Sequence, residues 1–577
     1  MGYINGENSK QHLLFPSCLD ERIEDESPVR LFDAFVNKLD FKNFGFERET
    51  PKAEGRPGYN PRDLMKLYIY SYYYRLRSSR QIARECKVNI EIMWLIGKLT
   101  PDFRTIANFR KNNQKAIRKV FKEFNRFCYQ MELFSHEGVS IDGSKFKAVN
   151  AKDKNFTQSK LDDRLERIDN HIKEYLLALD VKDIDEKEAV ELEKKLKEYK
   201  ERKNKYEEIL SKMTNENLSQ VSLTDPEAKL MKMSEGFGVC YNTQTAVDIG
   251  SHLIVDFEVT NDVTDHGQIT NLAKKIKENF REFEEQKNVE NSNKFESRKE
   301  QVLESIADKG YQDTEDMAEA LANGIIPNVI PNKGTTVKIE YDYVPTEITN
   351  EIKQSNKPED LRKCLQAGVV PDVYKDILTI EGIENRVQYE YESTDAGIIK
   401  MDAEQMLNKA REGYFVRNAE LNLVICPQGK ILRQKSIKKN GYIRYYNKLA
   451  CKSCTNKCTK SKWKEVDFSK DSLIHKVGNN QKTDNKKECV KDESIKRTKH
   501  VYKKTIYNMK LNMEKLAKRM STSEHPFGTI KHHLCGYYFL LKGKAKVEAE
   551  TALLFLAYNM RRAINMLTVS KMLDALR

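Results

Sequence analysis

No apolar run in the 577-residue sequence approaches the roughly 20 residues that span a bilayer, so a membrane-crossing helix is not expected. The opening residues, Met1-Gly2-Tyr3-Ile4-Asn5-Gly6-Glu7, lack the basic-then-apolar layout of a signal peptide. Both absences lead us to expect the cytoplasm, where the 11 cysteines stay reduced unless a metal holds them. Acid is missing from one long stretch: no Asp or Glu stands between Lys430 and Lys464. There Arg433, Lys438, Lys439, Arg444, Lys452, Lys457, Lys460 and Lys464 alternate with Tyr442, Tyr445, Tyr446 and Trp463, a mixture suited to phosphate contact with base stacking. The whole chain carries a net charge of +13, which fits a polyanionic partner without separating DNA, RNA and acidic membrane. It is too long for one compact core, so several domains are expected.

Chemistry concentrates at three carboxylates. In Gly138–Lys145, Val139 and Ile141 flank a serine in the alternation of a short half-buried strand. Asp142 is expected where that strand ends, with Gly143 permitting a sharp or unusual backbone step; a plain turn Asp before Gly is the blander alternative. The run Ser305-Ile306-Ala307-Asp308-Lys309-Gly310-Tyr311 repeats the layout. It precedes a helix start at Asp313–Asp316 that closes near Gly324. In the third stretch Glu524 and Lys531 lie two helical turns apart, with Pro526 and Gly528 working against regular helix between them. Two aspartates at strand ends and a distant glutamate suit magnesium-dependent phosphoryl transfer. Mg²⁺ takes oxygen ligands, and two ions about 4 Å apart serve the attacking and leaving oxygens.

The stretches TPDFRTIANFR, SIDGSKFKA, GVCYNTQTAVDIGSHLIVDFEVTND, IADKGYQ and EHPFGTIK span most of the chain. Together they resemble a DDE transposase of a bacterial insertion sequence, of the IS1182 family within the broad IS4/IS5-like group. The resemblance implies an α+β multidomain fold with a ribonuclease-H-like catalytic core, a meander of three strands followed by helix, strand, helix, strand. It implies that Asp142, Asp308 and Glu524 are catalytic and hold two Mg²⁺, for which Mn²⁺ can substitute, and that Lys531 contacts phosphate near the transposon end. Relatives carry Tyr and Arg at set spacing before the glutamate. Here Arg519, carried as a candidate phosphate or DNA contact, stands one residue farther off, and no Tyr occupies the expected place. Asp265 falls in a recurrent family motif and is read as structural.

In chain order, residues 1–130 are expected to be helical and DNA-binding, with helices near Pro28–Leu39, Pro61–Leu76, Ser78–Cys86 and Ile90–Ile96 in a helix-turn-helix-like array. In the TPDFRTIANFR helix, Thr100 is the expected cap and Pro101 the first helical residue, Phe103, Ile106 and Phe109 share a face, and Arg104 and Arg110 are candidate DNA contacts. Residues 131–334 form the first part of the core, with an antiparallel helical hairpin inserted at 158–215, where apolar residues recur in steps of four and three, and Val181–Asp185 as the join. Strands are expected at Phe237–Val247 and, in a central place, Leu253–Val259, with a helix from His266 to Phe280. Residues 335–500 are an insertion with a Cys-rich module in which Cys426, Cys451, Cys454 and Cys458 have zinc-ligand character, His475 and Cys489 being alternates, and Arg444 is a further DNA contact. Residues 501–577 return to the core, with Tyr502–Met520 read as a basic helix that includes Arg519, Glu524 opening a helix, and an amphipathic tail helix from Ala549 to Leu567 packed on the catalytic sheet.

The function implied is cut-and-paste transposition: binding of terminal inverted repeats, then metal-dependent strand cleavage and transfer. The partner is double-stranded DNA at the ends and the target, the acting species a homodimer in the synaptic complex, and the place the cytoplasm, close to the nucleoid. Two rivals are carried, a catalytically inactive transposase-derived repressor and a plain ribonuclease-H-like nuclease. The three carboxylates argue against the first, and the Cys-rich module with the long insertions against the second.

Overall fold

The structure, a computed structural model, describes residues 18–50, 57–150, 152–179, 186–216, 218, 220–233, 236–290, 302–331, 333–393, 403–418, 421–437, 442–459, 461–468, 474–476 and 495–577. It divides into two compact units, Met1–Glu384 with Lys504–Arg577, and Asn385–Lys503. No helix among the described residues is long and apolar enough to cross a membrane.

The first unit begins with helices Pro28–Lys38, Pro61–Tyr73, Ser79–Glu85, Ile90–Leu95, Phe103–Asn112 and Gln114–Gln130. Pro28 and Pro61 stand in the first turns, where a missing N–H costs nothing, and the Ser27 and Asn60 side chains accept from Val29 and Arg62 N–H. The fifth helix is capped by Asp102, not Thr100, because the Asp102 carboxylate reaches both the Arg104 and Thr105 N–H groups. Its buried face is Ile106 and Phe109, while Phe103 is 37% exposed. The second helix stops three residues before Leu76, where the chain turns through Arg75 at a φ of 67°.

The main sheet is built on the strand Val139–Lys147. It pairs antiparallel with Gly236–Asp248 over its whole length, Val139 opposite Asp248 and Lys147 opposite Cys240. On its other edge it runs parallel to Leu303–Ala307, from Val139 opposite Ser305 to Ile141 opposite Ala307, and Ile325–Val329 continues the parallel side. Beyond Gly236–Asp248 lie Lys229–Met233 along one half of that strand and Ile254–Thr260 along the other. Ile254–Thr260 is therefore an edge strand rather than a central one. It is nonetheless buried almost throughout, because the tail helix Lys544–Met566 and the helix Ile269–Glu290 both pack on it. The tail helix also lies on Gln114–Gln130 and Pro61–Tyr73, so it is buried on nearly every side.

Two long helices, Gln158–Leu179 and Glu186–Asn215, follow the first strand and pack on each other around Leu161, Ile209 and Met213. The expected join at Val181–Asp185 lies outside the described residues. The stretch 336–384, which composition groups with the interruption, packs in the first unit instead. There Thr336–Asp342 pairs antiparallel with residues 504–510 of the strand Ile495–Lys510. Residues 502–510 are thus strand where a helix was expected. Thr505, Ile506 and Tyr507 are β-formers, and their partners come from more than a hundred residues upstream, beyond any local periodicity.

The second unit is a six-stranded sheet in the order Glu465–Phe468, Ile443–Tyr446, Ile431–Ile437, Leu423–Ile425, Tyr414–Asn418 and Ile474–Lys476, around a core that includes Phe415, Leu432, Tyr445 and Val466.

Candidate active site

Asp142 is not at a strand end. It lies within Val139–Lys147, because the antiparallel neighbour continues past it. What ends there is the parallel pairing, whose last pair is Ile141 with Ala307. The next residue on the parallel strand is Asp308, which caps the short turn Lys309–Tyr311 by accepting from Lys309 N–H at 2.7 Å. The two carboxylates therefore emerge from adjacent strands at the same level of the sheet. Their proximity is felt electrostatically. The Asp142 carboxyl is pushed up to about 6, first by burial and further by the Asp308 charge; Arg519, the Gly143 N–H and the Ser523 hydroxyl act in the opposite direction.

Gly143 makes no unusual backbone step, since it pairs regularly with Gln244 in extended strand. Glycine is needed for space. A Cβ there would lie 2.5 Å from Gln244 Nε2 and 2.7 Å from Asp265 Oδ1.

The helix Met513–Gly528 crosses this sheet over the Asp142, Gly236–Asp248 and Asp308 strands. Glu524 does not open it but lies beyond its middle, and regular helix runs through Pro526 and Gly528 with Pro526 and Phe527 buried. Arg519 and Ser523, one turn apart, face the sheet: an Arg519 Nη1 is 3.6 Å from Asp142 Oδ2, and Ser523 Oγ is 3.3 Å from Ser140 Oγ. Glu524 is about 100° farther around the axis and is exposed. Among the described residues it makes no ion pair or hydrogen bond, and no three His, Cys, Asp or Glu side chains are grouped to hold a metal ion. The structure thus brings Asp142, Asp308 and Arg519 together and leaves Glu524 on the flank of the same helix. Lys531, in the following turn Thr529–His533, donates to Ser144 Oγ at 2.6 Å beside the Phe146 ring; burial pushes its ammonium below the usual lysine range.

Of the other expected DNA contacts, Arg104 is exposed and lies with Arg80 against the Phe103 ring. Arg110 is buried. It donates to the Tyr72 hydroxyl at 2.5 Å and stands 4.0 Å from Glu550. Arg444 is taken up by Asp467 at 2.7 Å and Glu465 at 2.8 Å, two acids placed just beyond the acid-free stretch by the neighbouring strand. Neither Arg110 nor Arg444 is available to phosphate in this arrangement.

In the second unit Cys426 and Cys458 pack on the edge of the core, and Cys454 Sγ lies 3.3 Å from the Asn456 carbonyl. Burial pushes the Cys458 thiol up, with Cys426 and, more weakly, Cys451 adding to it. Lys438, Lys439, Lys460 and Cys489 lie outside the described residues.

A family model described as Transposase domain (DUF772) matches residues 17–112, and one described as Transposase DDE domain matches residues 425–564, which take in the four cysteines, Glu524 and Lys531. No curated protein and no solved structure matches the chain. A match to a transposase domain toward one end and to a transposase DDE domain toward the other is consistent with a DDE transposase of the IS1182 type.

Proposed function

We propose that this transposase cuts and joins DNA at the ends of an insertion sequence through Asp142, Asp308 and Glu524. The observation that carries the reading is the pair of carboxylates leaving adjacent parallel strands at one level, beneath the helix that bears the glutamate. The strand order supports a ribonuclease-H-like core: antiparallel partners on one side of the Asp142 strand and parallel ones on the other. Asp142 and Asp308 fit a hard cation, being oxygen donors side by side in a partly desolvated place where one positive charge, Arg519, is already drawn in. When bound, Mg²⁺ supplies charge neutralisation and a polarised oxygen for in-line attack on phosphate. Arg519 balances Asp142, and Lys531 stands on the same face with its ammonium beside Ser144, where a phosphate oxygen could replace the serine. Exposed Arg80 and Arg104 around Phe103 support contact between the N-terminal helices and DNA.

The exposure of Glu524 favours one other reading, a DNA-binding repressor without catalysis. Incubating the purified chain with end-labelled terminal DNA and Mg²⁺ separates the two. Nicking at the element boundary followed by joining to target is expected, and end binding with no cleavage would leave the repressor.

We also propose that Cys426, Cys451, Cys454 and Cys458 hold a structural zinc ion, the support being the thiolate donor set and the placement of Cys426 and Cys451 near enough to Cys458 to raise its thiol. Protein prepared without chelator should contain about one zinc per chain, and Cys454→Ser should lower it, with loss of DNA affinity and unaltered metal dependence of cleavage. Elemental analysis that finds no stoichiometric zinc would leave the cysteines as ordinary reduced side chains.

A further inference from the structure

We infer that Asp265, Gln244 and Tyr311 form a brace behind the active site that sets the position of the Asp308 turn relative to Asp142. The inference rests on the reading that these two aspartates hold the catalytic cation.

Side chains alternate along a strand. Ser140, Asp142 and Ser144 face the Glu524 helix and the turn that follows it, as their contacts with Ser523, Arg519 and Lys531 show. Gly143 therefore faces the reverse side, and so does its register partner Gln244. On that side lies a chain of polar groups that runs from the half-buried Asp265 to the buried Tyr311. Asp265 Oδ1 accepts from Gln244 Nε2 and from Asn242 Nδ2, each at 2.7 Å. Gln244 Oε1 accepts from the Tyr311 hydroxyl. The Tyr311 N–H in turn donates to the Asp308 carbonyl at 3.0 Å. Asn242, Gln244 and Tyr311 are 0%, 1% and 1% exposed.

The direction of this chain is fixed. A carboxylate only accepts, so Gln244 turns its amide nitrogen to Asp265 and its oxygen to Tyr311. Tyr311 must then donate, and burial with three carboxylates nearby keeps its hydroxyl protonated far above the usual range. Three segments are tied together: the loop after Ile254–Thr260, the strand beside Asp142, and the turn that begins at Asp308. Apolar side chains would fill the same volume without the cost of burying polar groups. What the polar chain adds is a set of directional contacts that allow one spacing. The missing side chain at Gly143 belongs to the same design, because the Asp265–Gln244 pair occupies the space where a Cβ would sit, directly behind Asp142.

Asp265 is thus a positioning residue on the far side of the sheet from the catalytic carboxylates, which explains how it lies close to them without joining them. Tyr311→Phe keeps the ring and removes the donor. Its cleavage rate at saturating Mg²⁺ should fall by about tenfold to a hundredfold, the cost of misplacing a reacting group by a fraction of an ångström to one ångström. The Mg²⁺ concentration for half-maximal rate should rise, while end binding stays native and the melting temperature falls only by the small amount that one unpaired buried acceptor costs. Asp265→Asn, which keeps shape and weakens the acceptor, should shift the Mg²⁺ midpoint in the same direction. A Tyr311→Phe chain with native rate and Mg²⁺ midpoint overturns the brace. So does a loss of rate that tracks lower melting temperature and weaker end binding with the midpoint unmoved, since that marks a merely structural tyrosine. Asp308→Asn run in parallel separates the two levels: if it cleaves like the native chain, the carboxylate reading itself fails and the brace falls with it.

Discussion

Asp308→Asn is expected to reduce strand cleavage in Mg²⁺ by roughly a thousandfold or more, the upper range for removing one electrostatic contact to a reacting centre, and to leave end binding close to native. The substitution is clean for a structural reason. Asp308 caps its own turn by accepting from Lys309 N–H, and an asparagine oxygen can accept the same bond, so the backbone has no cause to move. What disappears is the charge that, with Asp142, draws a cation to this corner of the sheet. Asp142→Asn is the less clean experiment, because it also strips Arg519 of its partner and leaves a nearly buried guanidinium uncompensated. Gel-shift titration and a cleavage time course on the same DNA decide the matter. Undiminished cleavage by Asp308→Asn would remove the residue from the catalytic set.

The short apolar run before each aspartate and the glycine within two residues after it mark a strand leading to each, because both signals are local, but they do not show that the two strands are neighbours. The amphipathic helix Gln114–Gln130 carries an equally local signal, since Ile117, Val120, Phe121, Phe124 and Cys128 recur at steps of three and four. Other features had no local signature. The strand at 502–510 depends on a partner at 336–342, and the place of Asp142 within its strand depends on how far the antiparallel neighbour runs. Charge was the least legible property. Arg110 sits in a basic helix yet faces Glu550, more than four hundred residues away in sequence, and Arg444 sits in an acid-free stretch yet meets Glu465 and Asp467 across a strand pair. A count of basic residues reports the field of the chain and not which side chains are already neutralised. The layer behind Gly143 left only one trace, the glycine itself, whose need for space rather than for conformational freedom becomes visible once Gln244 is set opposite to it.

Glu550→Gln is expected to destabilise the first unit by about 3–5 kcal/mol, the cost of removing one partner from a buried ion pair. Glu550 lies on the tail helix and is fully buried. It accepts from Arg77 Nη2 at 2.7 Å and from the Leu540 and Leu541 N–H groups at 2.9 and 3.1 Å, with Arg110 at 4.0 Å. Arg77 also donates to the Cys535 carbonyl at 2.5 Å and to the Tyr538 carbonyl. The segment held in this way is hydrogen-bonded to the end of the Asp142 strand, Lys147 N–H donating to the Tyr537 carbonyl and Phe539 N–H to the Lys147 carbonyl. One carboxylate thus joins the N-terminal helices, the tail helix and the strand that carries Asp142. Glutamine keeps an acceptor for the backbone amides but leaves two guanidinium groups in the interior with no anion. Arg110→Met should cost less, because the group it removes is the more distant of the two and its loss leaves the Arg77 pair intact. Urea unfolding of the two variants, followed by circular dichroism, tests the ranking. Equal midpoints for Glu550→Gln and the native chain would show that the two arginines find other partners or water, and that the junction between the N-terminal helices and the main sheet is held by apolar packing alone.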